Sequence, residues 1–111
     1  MRKITDKNHE EILKSNRISF VFFTKDDCHL CVGLKPVIKK LSNEYSKDVD
    51  FYTCDVNKER LLTTNILDDA GVPTGFVLSA GRLYKVKDPE DPDEKSWYTH
   101  RYLEKIIKSV I

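Results

Sequence analysis

The stretch Phe20-Val21-Phe22-Phe23-Thr24-Lys25-Asp26-Asp27-Cys28-His29-Leu30-Cys31 limits what this chain can fold into more than any other. A short run of aromatic and β-branched residues ends in a polar turn, and the turn delivers two cysteines three apart. Such a run reads as a strand buried on both faces. The segment after it reads as a helix, with Cys28 at its N-terminus. Unpaired backbone N–H groups and the helix dipole favour an anion there, and the thiolate is the reactive form of cysteine. Cys31 lies one helical turn on, on the same face and within reach of a disulfide. Strand, turn, Cys-x-x-Cys and helix together describe a redox site.

A chain of 111 residues is expected to form one domain, residues 1–111, with a core that stands without disulfide staples. The net charge of +1 argues against nucleic acid as a partner, because phosphate binding wants a basic surface. No apolar run approaches the ~18 residues of a membrane span. Residues 1–6 turn polar too early for a secretory signal. The expectation is a cytoplasmic monomer that meets neither membrane nor nucleic acid. In a reducing compartment a Cys-x-x-Cys pair is catalytic or metal-binding rather than structural. Three cysteines make one pair and a remainder.

The flanking elements follow from periodicity and punctuation. Residues 2–4 read as a short edge strand, and Thr5 as the N-cap of a helix over 6–15. Residues 18–23 are the buried strand. After the cysteines, Leu34, Val37, Ile38, Leu41 and Tyr45 recur at helical spacing and make one apolar stripe, to about residue 46. Pro36 sits inside that helix and is expected to bend it. Residues 49–56 read as a second strand, Asn57 as the cap of a helix over 58–67, and 68–71 as a break. Strands over 75–79 and 82–86 flank the Ala80-Gly81 turn as a hairpin. The charged stretch 87–95, with Pro89 and Pro92, reads as a solvated loop. Ser96 or Thr99 starts a last helix with Tyr102, Leu103, Ile106, Ile107 and Val110 as its stripe. This order predicts an α/β chain: a three-layer α/β/α sandwich around a central mixed sheet.

The chain resembles the thioredoxin superfamily over nearly its whole length. The resemblance rests on the strand running into Cys28-His29-Leu30-Cys31, on Pro36 in the helix, on Asp55 closing the next strand, and on Val72-Pro73-Thr74 ahead of the hairpin. It implies the thioredoxin fold and a thiol-disulfide oxidoreductase acting on protein disulfides. By that resemblance Cys28 is the attacking thiol and Cys31 the resolving one. Pro73 is then a cis proline beside the disulfide. Val72, Pro73 and Thr74 form the substrate-binding loop, the backbone of Val72 pairing with an extended substrate segment. The redox-active disulfide would be the whole redox centre, with no organic cofactor or metal. Electrons would come from a reductase or from a low-molecular-weight thiol such as glutathione.

The departures from the superfamily fall where the chemistry is. Thioredoxins place Trp before the first cysteine, where this chain has Asp27, and Gly-Pro between the cysteines, where it has His29-Leu30. They bury an Asp and a Lys beneath the second cysteine, where it has Phe22 and Phe51. The Cys-His-Leu-Cys tetrad also looks like some glutaredoxin-like proteins, and the remainder loosely resembles small thioredoxin-like accessory proteins of Gram-positive bacteria. Asp27, His29 and Leu30 are therefore expected to tune the pair. A protonated His29 favours the Cys28 thiolate and Asp27 opposes it. With no proline between the cysteines, no N–H at the helix start is lost. A stabilised thiolate makes the disulfide a stronger oxidant. Without a buried Asp, Cys31 has no evident internal base, and release of the mixed disulfide is expected to be slow.

Two other readings stay open: a thioredoxin-fold interaction or accessory module with vestigial redox activity, and a glutathione-dependent, glutaredoxin-like reductase. A metal on the two cysteines is a third, but zinc wants four ligands, and Cys54, His9 and His100 lie on other elements. Cys54 reads as a small buried apolar residue, and His9 and His100 as surface residues. Trp97, Tyr98 and Tyr102 read as packing for the last helix.

Overall fold

The aromatic run becomes the central strand of a five-stranded sheet. The computed structural model describes residues 2–68 and 70–111. Residue 69, within the expected break at 68–71, lies outside the described residues. In chain order the elements are β1 (Arg2–Lys3), α1 (His9–Leu13), β2 (Ile18–Thr24), α2 (His29–Glu44), β3 (Val49–Asp55), α3 (Arg60–Leu62), β4 (Thr74–Ser79), β5 (Arg82–Lys85) and α4 (His100–Val110). A wider π turn, Thr63–Leu67, continues α3. The strand order is β1-β3-β2-β4-β5. β1, β3 and β2 run parallel, and β4 and β5 add antiparallel.

Strand alternation splits β2 between two cores. Phe20 and Phe22 join Phe51, the Leu34, Ile38 and Leu41 stripe of α2, and Leu103 and Ile107 of α4. Val21 and Phe23 join Ile12 of α1, Leu62 of α3 and Leu67. Two helices therefore cover each face, which is the predicted three-layer sandwich. Fully burying a side chain of this kind contributes about 1.5–3 kcal/mol, so β2, with six of its seven residues buried, anchors both layers. At the β4–β5 turn, Ala80 and Gly81 both hold positive φ, 52° and 76°. That geometry matches the strand twist of a tight hairpin.

The helix starts depart from the sequence reading in an instructive way. Thr5 and Asn8 cap a turn reciprocally: the Asn8 N–H donates to Thr5 Oγ1 at 3.2 Å, and the Thr5 N–H to Asn8 Oδ1 at 2.7 Å. α1 follows that turn and is shorter than expected. Asn57 does not cap α3. Instead Asp55 Oδ1 accepts the N–H groups of Asn57 and Lys58, at 2.8 and 3.3 Å. The Asp6 carboxylate accepts those of Leu61 and Leu62, at 3.3 and 2.9 Å. A carboxylate delivered from more than fifty residues away displaces the local candidate. At α4 the cap is Thr99, whose Oγ1 accepts the Tyr102 N–H at 3.1 Å.

Candidate active site

The end of β2 and the start of α2 hold the two cysteines. Cys28 has extended φ/ψ and is the N-cap of α2. Its sulfur is bonded to that of Cys31, with the Cα atoms 5.2 Å apart, within the usual span for a disulfide. The Cys31 N–H donates to Cys28 Sγ at 3.1 Å. This is the helix-start donor expected to stabilise a Cys28 thiolate. The two cysteines differ in access: Cys28 is half-buried, while Cys31 is 0% exposed.

The Val72-Pro73-Thr74 loop stands beside the pair. The Val72–Pro73 peptide bond is cis, and the Val72 carbonyl oxygen lies 4.0 Å from Cys28 Sγ. Pro73 and Thr74 are buried, Val72 is half-buried and Gly71 is exposed. Thr74 opens β4 opposite Phe23 of β2, and its hydroxyl donates to the Gly71 carbonyl. The sheet register therefore ties this loop to the strand that carries the cysteines.

Of the expected tuning residues, Asp27 and His29 are exposed. Asp27 meets Lys25 Nζ at 3.9 Å, with 80% of its own side chain in solvent. A pair so exposed contributes little. Leu30 faces the other way, into a cavity it shares with Val72, Pro73 and Trp97. Phe22 and Phe51 both stack on Phe20, with ring centroids 5.7 and 5.6 Å away.

Trp97 is the residue that sequence reasoning missed: it packs at the site as well as ahead of the last helix. The available clue was its position, the only tryptophan of the chain, directly after the charged loop. His100 likewise has a partner. Its Nε2 meets Glu44 Oε1, while Tyr45 O–H donates to Glu104 at 2.8 Å. That bond pushes the Tyr45 phenol up to about 12 and holds the Glu104 carboxyl below its usual range. Among the described residues, Glu44, His100 and Glu104 bring three potential metal-ligating atoms within 4.8 Å. Glu44 ends α2, roughly 24 Å from Cys28 by helix rise, and His100 and Glu104 meet it from α4.

Cys54 is fully buried on β3. Burial pushes its thiol up to about 12, helped by the nearby Glu59, Asp6 and Asp55 carboxylates. The unfolded thiol ionises near ~8.5. Because the folded value lies above the unfolded one, its contribution to stability is complete below that pH and fades as pH rises. The oxidised native protein is expected to show no fast-reacting thiol at pH 8, and one after unfolding in urea. A fast thiol in the native state would contradict this.

The thioredoxin family model matches residues 1–99. The chain belongs to the thioredoxin family. A thioredoxin of Borreliella burgdorferi is 33% identical over 61 residues, which are 54% of this chain and 52% of that one. The match thus spans about half the length of that relative. Among solved structures, the oxidised mitochondrial thioredoxin 3 of Saccharomyces cerevisiae superposes with a TM-score of 0.80 at 24% identity, over 98% of this chain and 94% of that one. A structure from work on how a yeast mitochondrial 1-Cys peroxiredoxin is resolved through glutathione/thioredoxin systems matches at 0.80 and 23%, with the same coverage. At these identities the two structures speak for the fold, which is the thioredoxin fold. This thioredoxin-family chain carries Asp27 before its first cysteine and His29-Leu30 between the two. Among its described residues no helix is long and apolar enough to cross a membrane.

Proposed function

We propose that this protein is a thiol-disulfide oxidoreductase acting on protein disulfides, with Cys28 as nucleophile and Cys31 as the resolving thiol. The observation that carries this reading is the unequal access of two bonded cysteines, one half-buried at a helix start and one fully buried. In the reduced protein, the Cys28 thiolate attacks one sulfur of a substrate disulfide. A Cys28–substrate bond forms, and the other substrate sulfur leaves as a thiolate that takes up a proton. Cys31, after losing its proton, attacks Cys28 Sγ and releases the second substrate thiolate. Two electrons pass from the dithiol to the substrate, and the Cys28–Cys31 disulfide remains. A reductase or a low-molecular-weight thiol returns the electrons.

The Val72 carbonyl beside Cys28 Sγ supports main-chain pairing with an extended substrate, and Pro73 and Thr74 shape the loop that receives it. The couple works without an organic cofactor or metal, as a monomer in a reducing compartment such as the cytoplasm. The Cys31 N–H dominates the tuning, because His29 and Asp27 are solvated. The potential is expected between about −230 mV and −120 mV, above thioredoxin itself. Equilibration in thiol/disulfide buffers measures it, and a thioredoxin-like value would defeat the tuning argument.

Trapping tests the chemistry. Cys31→Ser is expected to accumulate a substrate held on Cys28, and Cys28→Ser to lose both trapping and turnover. Turnover that survives Cys28→Ser would overturn the assignment. A second reading, an interaction module with vestigial redox activity, draws on the apolar, buried Phe22 and Phe51. Biological activity retained by Cys28→Ser would favour it. Turnover with glutathione alone would favour a glutaredoxin-like reductase.

A further inference from the structure

The loop after β5 does more than meet solvent: its end carries Trp97 to a cavity it shares with Leu30 and Val72. Trp97 lines a cavity of about 260 Å³ with Leu30, Val72, Pro73, Lys85 and Asp88. Leu30 lies between the two cysteines in sequence, and the Val72 carbonyl lies beside Cys28 Sγ. A substrate strand that pairs with Val72 and reaches Cys28 therefore runs along this cavity.

The backbone at Trp97 is unusual. Its φ is +61°, an outlier for a bulky side chain. Strain of this kind persists only where the surroundings over-determine it, and it gathers at ligand clamps and active sites. The surroundings here do so. Asp93 and Trp97 exchange two backbone hydrogen bonds, at 3.0 and 2.9 Å. Asp93 Oδ1 also accepts the N–H groups of Lys95 and Ser96, at 2.8 and 3.0 Å. The indole Nε1–H donates to Asp88 Oδ1 at 3.3 Å. The ring is thus pinned by its polar edge and only half-buried, before any ligand arrives.

We propose that Trp97 and Leu30 form a selectivity site for an apolar substrate side chain, aromatic or branched aliphatic, within two residues of the substrate's reactive cysteine. The proposal deepens the exchange reading above and rests on it. The cavity falls below the about 300–1,000 Å³ of pockets that enclose drug-sized ligands, so it suits one side chain. In an extended substrate, side chains two residues apart share a face at roughly 6–7 Å. A residue next to the cysteine on that face reaches the indole while the cysteine meets Cys28. Lys85 and Asp88 are the charged members of the lining, and Leu30, Ala70, Val72, Pro73 and the ring are its apolar ones.

The test uses full-length reduced Cys31→Ser protein and peptides whose cysteine is bonded to thionitrobenzoate. Attack by the Cys28 thiolate forms the Cys28–peptide disulfide and expels thionitrobenzoate, whose absorbance gives the rate. Each position within two residues of the peptide cysteine is set to Phe, Leu, Ala or Asp. At one position Phe and Leu are expected to react about tenfold faster than Asp, equivalent to about 1.4 kcal/mol. Trp97 emission is expected to shift to the blue only in those adducts. Trp97→Gly removes the ring and suits the positive φ, so it is expected to flatten the preference, while Trp97→Phe keeps most of it. Equal rates for Phe and Asp peptides, or a preference that survives Trp97→Gly, would overturn the selectivity site. A small symmetrical disulfide run alongside separates the two readings. If it reacts and the peptides show no preference, exchange stands and selectivity falls. If nothing reacts, both fall.

Discussion

Replacing Gly33 with alanine is expected to destabilise the protein by about 3 kcal/mol, the upper end of overpacking costs. Helix preference alone points the other way, since alanine exceeds glycine inside a helix by about 1 kcal/mol. The contact decides the sign. A Cβ on Gly33 would lie 1.7 Å from the Lys95 carbonyl oxygen and 2.7 Å from its carbon. Both are backbone atoms, so no side chain can swing aside. Either α2 or the 93–97 turn must move, and the turn is held by the Asp93 carboxylate and the Asp93–Trp97 bonds. Urea unfolding gives the size of the loss, and Trp97 emission reports whether the turn has lifted. A variant as stable as the parent, with unchanged emission, would show that the close approach is not needed.

Phe22→Ala is expected to cost about 3–5 kcal/mol, as other buried Phe truncations do. Phe22 is fully buried, stacks on Phe20, meets Tyr98 edge-on at 6.3 Å and supports Gly75 of β4. Removing the ring leaves a void between the central strand and the α2–α4 layer. Phe22→Asp is expected to cost at least as much at neutral pH. A carboxyl there is held above its ordinary value by desolvation. With the folded value raised, the Asp variant keeps its residual stability below about pH 4, near the unfolded value, and loses it as pH rises. Chemical denaturation of both variants across pH 4–8 checks this. An Asp variant that becomes more stable with pH would mean that the site is wetter than the packing implies.

What was legible in the sequence is what repeats locally. The Phe20–Phe23 run, the stripes of α2 and α4 and the Ala80-Gly81 turn each carry a period or a backbone requirement, and each formed where expected. The cysteine pair and the Val72-Pro73-Thr74 loop were visible as motifs. What was not legible depends on contacts between distant residues. Asn57 looked like a cap, but the carboxylates of Asp55 and Asp6 satisfy the turn and the start of α3. Nothing in the sequence around Gly33 marks it, yet its missing side chain seats Lys95. That contact spans more than sixty residues and brings Trp97 to the site. No window along the chain contains it.

The sheet order has a consequence for self-association. Its outer strands are β1, only Arg2–Lys3, and β5, which begins with Arg82 and ends with Lys85. Short, cationic borders of this kind discourage edge-to-edge growth of a sheet. A second copy approaching either border would bring its own positive charges against those already there. Aggregation through added strands is thereby opposed at both ends of the sheet.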